Sequence, residues 1–89
     1  MKTTIENNIL YIKENDQMLA YVTFPFSGDK VVNINHTFTA PQMRGKGLAK
    51  ILLDDLYVHL KEKGYKATPT CSYAVTYFER YPEKRDVLL

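Results

Sequence analysis

The chain has 89 residues, room for one domain over residues 1–89 and too little for a second core. Its 45% hydrophobic and 25% charged composition excludes a disordered chain, and a formal charge of +2 is too mild to argue for nucleic acid. One cysteine excludes an intrachain disulfide and favours a reducing compartment. The N-terminal Met-Lys-Thr-Thr-Ile-Glu-Asn-Asn lacks the apolar run of a signal peptide or membrane span, so a cytoplasmic location is expected.

The first forty residues read as β. Ile9 to Lys13 alternate as a short strand, and Glu14-Asn15-Asp16-Gln17 is a turn cluster. Met18 to Phe26 forms a second run, which Pro25 ends on an edge or at a bulge. Ser27-Gly28-Asp29 marks the next turn, and Val31, Val32, Ile34 and Phe38 carry a third strand. Three strands joined by short turns predict an antiparallel meander.

The pattern changes at Pro41. Leu48, Ile51, Leu52, Leu56 and Leu60 recur at helical spacing, and Gly64 stops the helix predicted from Gly47 to Lys63. Tyr65 to Cys71 reads as a fourth strand, short or bulged at Pro69. Ser72 can cap a second helix from Tyr73 to Tyr81, ended by Pro82. The order β-β-β-α-β-α describes a mixed α/β fold, a meander followed by helix, strand and helix.

Gln42-Met43-Arg44-Gly45-Lys46-Gly47 lies where a strand gives way to a helix. Two glycines one residue apart let backbone approach a ligand closely, and the free amides of a first helical turn favour an anion. Arg44, Lys46 and Lys50 add positive charge. A pyrophosphate suits such a place, although the same residues also suit a plain tight turn. The third glycine of a dinucleotide fingerprint is absent, as is the Gly-Lys-Ser/Thr of a P-loop.

With Leu48-Ala49, this segment resembles the Gln/Arg-x-x-Gly-x-Gly/Ala signature of the GNAT superfamily of N-acetyltransferases. It is most similar to a short, single-domain subgroup of the YjdJ type. That likeness rests on His36-Thr37, Arg44 to Gly47, Cys71-Ser72-Tyr73, Tyr77 and Pro82-Glu83, and covers roughly residues 30–85. The resemblance implies a minimal GNAT-like fold that binds acetyl-CoA as acetyl donor. The implied contacts come from Thr37, Phe38 and Thr39, then Gln42, Met43, Arg44, Gly45, Lys46, Gly47, Leu48, Ala49 and Lys50. Phe38 departs from the acidic residue common in the subgroup. Longer GNAT proteins carry further helices in front and strands behind, which form much of their acceptor surface. The expected partners are acetyl-CoA and an unidentified acceptor, with no membrane and no metal ligand set.

Four residues are candidates for chemistry. Amine acetylation needs a deprotonated amine, a polarised thioester carbonyl and a proton for the leaving thiolate. His36 suits a base, or equally a strand histidine bonded to a neighbour. Cys71 suits an acetyl-carrying nucleophile, or a small buried filler. For the leaving-group acid, alignment of Ala74 to Arg80 on the family's last helix places Phe78 at the tyrosine position. Tyr73 and Tyr77 therefore compete for that role, and either also suits the core. His59 reads as a packing residue. The expected activity is acetyl transfer to an amine, directly or through Cys71. The alternative is a non-catalytic module that binds CoA or acetyl-CoA as a sensor or interaction unit. A third alternative is a loop that binds another phosphate-bearing ligand, RNA or a nucleotide; the near-neutral charge and the lack of an evident aromatic platform weigh against RNA.

Overall fold

A computed structural model describes residues 2–89. Strand β1 (Thr4–Glu6) turns through Asn7 and Asn8 into β2 (Ile9–Glu14), and Asn15 and Asp16 turn β2 into β3 (Gln17–Thr23). All four turn residues have positive φ, between 51° and 62°. Two such residues in succession make the tight hairpin turn whose twist matches the strands, and Asn and Asp tolerate it best among non-glycines. β1 escaped the sequence reading because all three of its residues are exposed, leaving no burial pattern to detect.

Two expected strands are each broken in two. The run Met18 to Phe26 stops at Thr23. Phe24 turns into the core at 1% exposure, and Pro25 separates it from β4 (Phe26–Gly28). The run Val31 to Phe38 divides at Asn35 into β5 (Val31–Ile34) and β6 (His36–Thr39). The simple meander is thereby replaced by two sheets. One is antiparallel, in the order β1-β2-β3-β6. The other has the order β4-β5-β7, where β7 (Lys66–Pro69) runs parallel to β5. Pro69, which has no N–H to give a ladder, lies at the end of β7.

Helix α1 (Leu48–Lys63) and its stop at Gly64 match the periodicity. Gly64 takes φ +71°, and its amide donates to the carbonyls of Leu60 and Lys61. Leu48, Leu52, Leu53, Leu56 and Leu60 are buried against Leu10, Ile12, Val22, Val32 and Ile34. Each such side chain contributes about 1.5–3 kcal/mol by leaving water. Helix α2 (Ser72–Arg80) adds Ala74, Tyr77 and Phe78 to the same core. Its N-cap is Cys71, not Ser72: the Cys71 Sγ accepts from the Ala74 amide at 3.4 Å. A 3-10 turn (Pro82–Val87) follows, and the Leu89 amide then donates to the Ala67 carbonyl at 3.0 Å.

The break at Asn35 is where the two sheets part. The amides of Thr70 and Cys71 both donate to the Ile34 carbonyl, at 3.0 and 3.2 Å, and close the parallel pair β5–β7. One residue later the Asn35 amide donates to the Thr23 carbonyl at 3.2 Å. From there β6 follows β3, while the chain after β7 enters α2. A strand and a helix start thus diverge from one point.

Candidate functional site

The segment between β6 and α1 is built from a 3-10 turn (Pro41–Met43) and two left-handed glycines, Gly45 at φ +82° and Gly47 at φ +75°. No protein atom lies within 4 Å of where a Cβ would stand on either glycine, so backbone conformation selects glycine at these positions. Gly47 is also the N-cap of α1 and supplies no side-chain cap. The first amides of a helix have no partner within it, and an uncapped start leaves them for solvent or an anion.

An open cleft of about 330 Å³ lies at this helix start. It is lined by Thr39, Met43, Arg44, Gly45, Gly47, Leu48, Ala49 and Tyr73. The fold therefore gathers seven of the twelve expected cofactor-contacting residues, together with one candidate acid from α2. Of the other five, Gln42 and Lys46 are exposed on the loop, and Thr37 and Phe38 are half-buried on β6. Lys50 is directed at Asp54 one helical turn on, at 2.8 Å.

The four candidates for chemistry are placed very differently. Tyr73 is 41% exposed on the cleft wall, and burial of its hydroxyl's surroundings pushes its pKa up. Cys71 is half-buried at the start of α2. His36 packs beside Tyr21, with ring centroids 5.7 Å apart, and Tyr21 in turn stacks on Phe38 at 5.2 Å. Side chains alternate along a strand, so His36 and Phe38 share the face opposite Thr39, which lines the cleft. Tyr77 is 3% exposed, and its hydroxyl donates to Asp54 Oδ1. His59 is half-buried edge-on to Phe24 at 5.9 Å, and burial followed by nearby Lys63 lowers its pKa. That is the packing role its position predicted.

The sequence reading missed a polar cluster that joins α1, α2 and the C-terminal 3-10 turn. Lys84 Nζ donates to Asp54 Oδ1 at 2.8 Å and to the Tyr77 hydroxyl at 3.0 Å. Burial pushes the Asp54 pKa up, but hydrogen bonds from Lys50, Lys84 and Tyr77 outweigh it and bring the value to about 2. Burial, then the bond to Asp54, raises Tyr77 to about 12. Asp54 and Lys84 are thirty residues apart, and no local pattern pairs them.

Residues 9–87 match the family of GCN5-related N-acetyl-transferases. No curated protein matches the chain. The solution structure of a GCN5-like protein from Staphylococcus aureus superposes at TM-score 0.81 and 29% identity, over 99% of this chain and 87% of that one. An N-acetyltransferase from Staphylococcus aureus Mu50 superposes at TM-score 0.63 and 24% identity, over 83% of this chain and 50% of that one. A predicted acetyltransferase from Clostridium acetobutylicum, solved with acetyl-CoA, gives 0.59 and 24%, over 84% and 57%. The chain thus spans about half the length of the latter two, and their likeness concerns the fold. The family match over most of the sequence and the shared architecture agree: this chain belongs to the GCN5-related N-acetyltransferase family.

Proposed function

We propose that this protein binds acetyl-CoA with the pyrophosphate on the amides between Gly45 and Ala49 and transfers the acetyl group to an amine. The observation that carries the reading is the cleft at the uncapped start of α1, flanked by left-handed glycines and reached by Tyr73 from α2. Helix-start amides and the cations of Arg44 and Lys46 suit a doubly charged pyrophosphate. The rest of the donor would run along β6. The Ala40 amide is spent on the Leu19 carbonyl, so strand alternation turns the amides of Thr39 and Thr37 away from β3, toward the opening.

In the transfer, the amine lone pair attacks the thioester carbonyl, a C–N bond forms and the C–S bond breaks; the nitrogen releases a proton to solvent and the leaving thiolate takes one. Tyr73 is the acid that the placement favours, because it lines the cleft and its raised pKa keeps it protonated at neutral pH. Tyr77 is disfavoured, its hydroxyl being buried and committed to Asp54. Cys71, at the same helix start, is the candidate for a covalent acetyl carrier. His36 would serve as base only for an acceptor arriving on the outer face of β6.

A second reading, binding without transfer, is favoured by one observation. Among the described residues, no side-chain hydrogen bond links His36, Cys71, Tyr73 and Tyr77 to one another. Mass spectrometry after incubation with acetyl-CoA and a panel of amines separates the two. Acetyl on an amine or on Cys71 supports the transferase, whereas binding with neither supports the module. The absence of any acetyl-CoA binding at millimolar ligand overturns both.

A further inference from the structure

A separate hollow of about 330 Å³ lies between the end of β7, α2 and the C-terminal residues, and it shares no residue with the donor cleft. Phe78, Pro69, Val75 and Leu89 give it an apolar lining. Val75 and Leu89 are large apolar side chains left in water, 38% and 82% exposed. Val75, Phe78 and Glu79 stand at i, i+3 and i+4, so one face of α2 turns toward this place.

An added strand does not suit the site. The amides of Lys66 and Thr70 donate toward β5, to the carbonyls of Lys30 and Ile34 at 2.9 and 3.0 Å. Strand alternation therefore turns residues 67 and 69 to the outer edge of β7. There the Ala67 carbonyl already accepts from the Leu89 amide, and Pro69 has no N–H to offer. With the backbone edge closed, a partner must pack through side chains.

The charges on this face say which partner. Glu79 and Arg85 both line the hollow and both are exposed. Among the described residues neither makes an ion pair, with the other or with any third group. A partner of a single charge sign would satisfy one of them and leave the other desolvated and unpaired, which is costly. A two-fold rotation satisfies both, because it brings Glu79 of each copy to Arg85 of the other around a shared apolar centre. The complementarity is to a second copy of this chain.

We propose that the protein associates with itself through this face, as a two-fold dimer with two Glu79–Arg85 pairs flanking Val75 and Leu89. One short helix face and a strand end are small beside the roughly 800 Å² per partner of a standard interface, so the dimer is weak. A dissociation constant of roughly 10–100 µM is expected. The donor cleft contributes nothing to this face, so the dimer stands or falls independently of acetyl-CoA binding.

Sedimentation equilibrium of the intact protein from roughly 10 µM to 1 mM tests this. The weight-average mass should rise with concentration from 10.3 kDa toward twice that value. Glu79→Arg and Arg85→Glu should each weaken association at least about tenfold, because each sets like charges together twice. The double variant, with the pair reversed, should recover the parent's association. Both residues are exposed, and circular dichroism verifies that the variants fold. Val75→Glu, which puts a charge at the apolar centre, should also weaken association. A monomer at every concentration overturns the proposal and leaves the face to a different partner. A dimer that none of the single variants weakens lies on another surface and overturns it too. Single variants that weaken the dimer without recovery in the double variant show that Glu79 and Arg85 do not meet, which also overturns it.

Discussion

The Tyr77 hydroxyl donates to the same Asp54 oxygen that Lys84 contacts at 2.8 Å. The cluster ties α1, α2 and the C-terminal 3-10 turn together. On the proposed reading, Tyr77 holds the packing rather than donating a proton to the leaving group. Tyr77→Phe should therefore keep the ring packing, cost about 1 kcal/mol for the lost hydrogen bond and leave acetyl-CoA binding intact. Tyr77→Ala should cost about 3–5 kcal/mol through the cavity it opens. Urea unfolding of the two variants, read with acetyl-CoA titrations, distinguishes this role from that of a proton donor.

Asp54 also sets an acid limit. Its folded pKa of about 2 lies below the ordinary 3.8, so the folded state binds the proton less readily than the unfolded one. The stability contributed is present above pH 3.8 and is lost as pH falls toward 2. Allowing for solvent screening of this partly exposed group, the loss amounts to about 1 kcal/mol. Asp54→Asn should flatten the stability profile in that window. An unchanged slope would show that Asp54 is not held by its lysines.

Gly45→Ala and Gly47→Ala each place an L-residue at positive φ with room for the new methyl group. Strain rather than collision should lower stability by about 1 kcal/mol per substitution. Acetyl-CoA binding should fall further, because the loop can relax by turning its amides. Thermal shift with and without acetyl-CoA separates the two effects, and a variant that binds as well as the parent would remove the loop from the site.

Cys71→Ser should leave the fold nearly unchanged, since a serine oxygen caps a helix at least as well as a thiol. A stability change within about 0.5 kcal/mol is expected. Any protein-bound acetyl group detected after incubation with acetyl-CoA should disappear. Amine acetylation that persists in this variant would show direct transfer without a thioester carried on the protein.

Residue pattern alone was enough for α1, for the turn at Asn15-Asp16 and for the glycine loop. Each rests on local physics: a leucine period, two residues that tolerate positive φ, and glycines at a helix start. The breaks at Phe24-Pro25 and Asn35 were not legible, because a run of β-formers looks alike whether its halves pair within one sheet or in two. Partners supplied from elsewhere in the chain, Thr23 for Asn35 and β7 for β5, decided that division. The same holds for the site. The sequence by itself determined where a glycine loop opens onto a helix start without a side-chain cap. Only the tertiary structure set Tyr73 at the cleft, buried Tyr77 against Asp54 and Lys84, and turned His36 to the other face of β6, because strand alternation and helix phase act through neighbours distant in the chain.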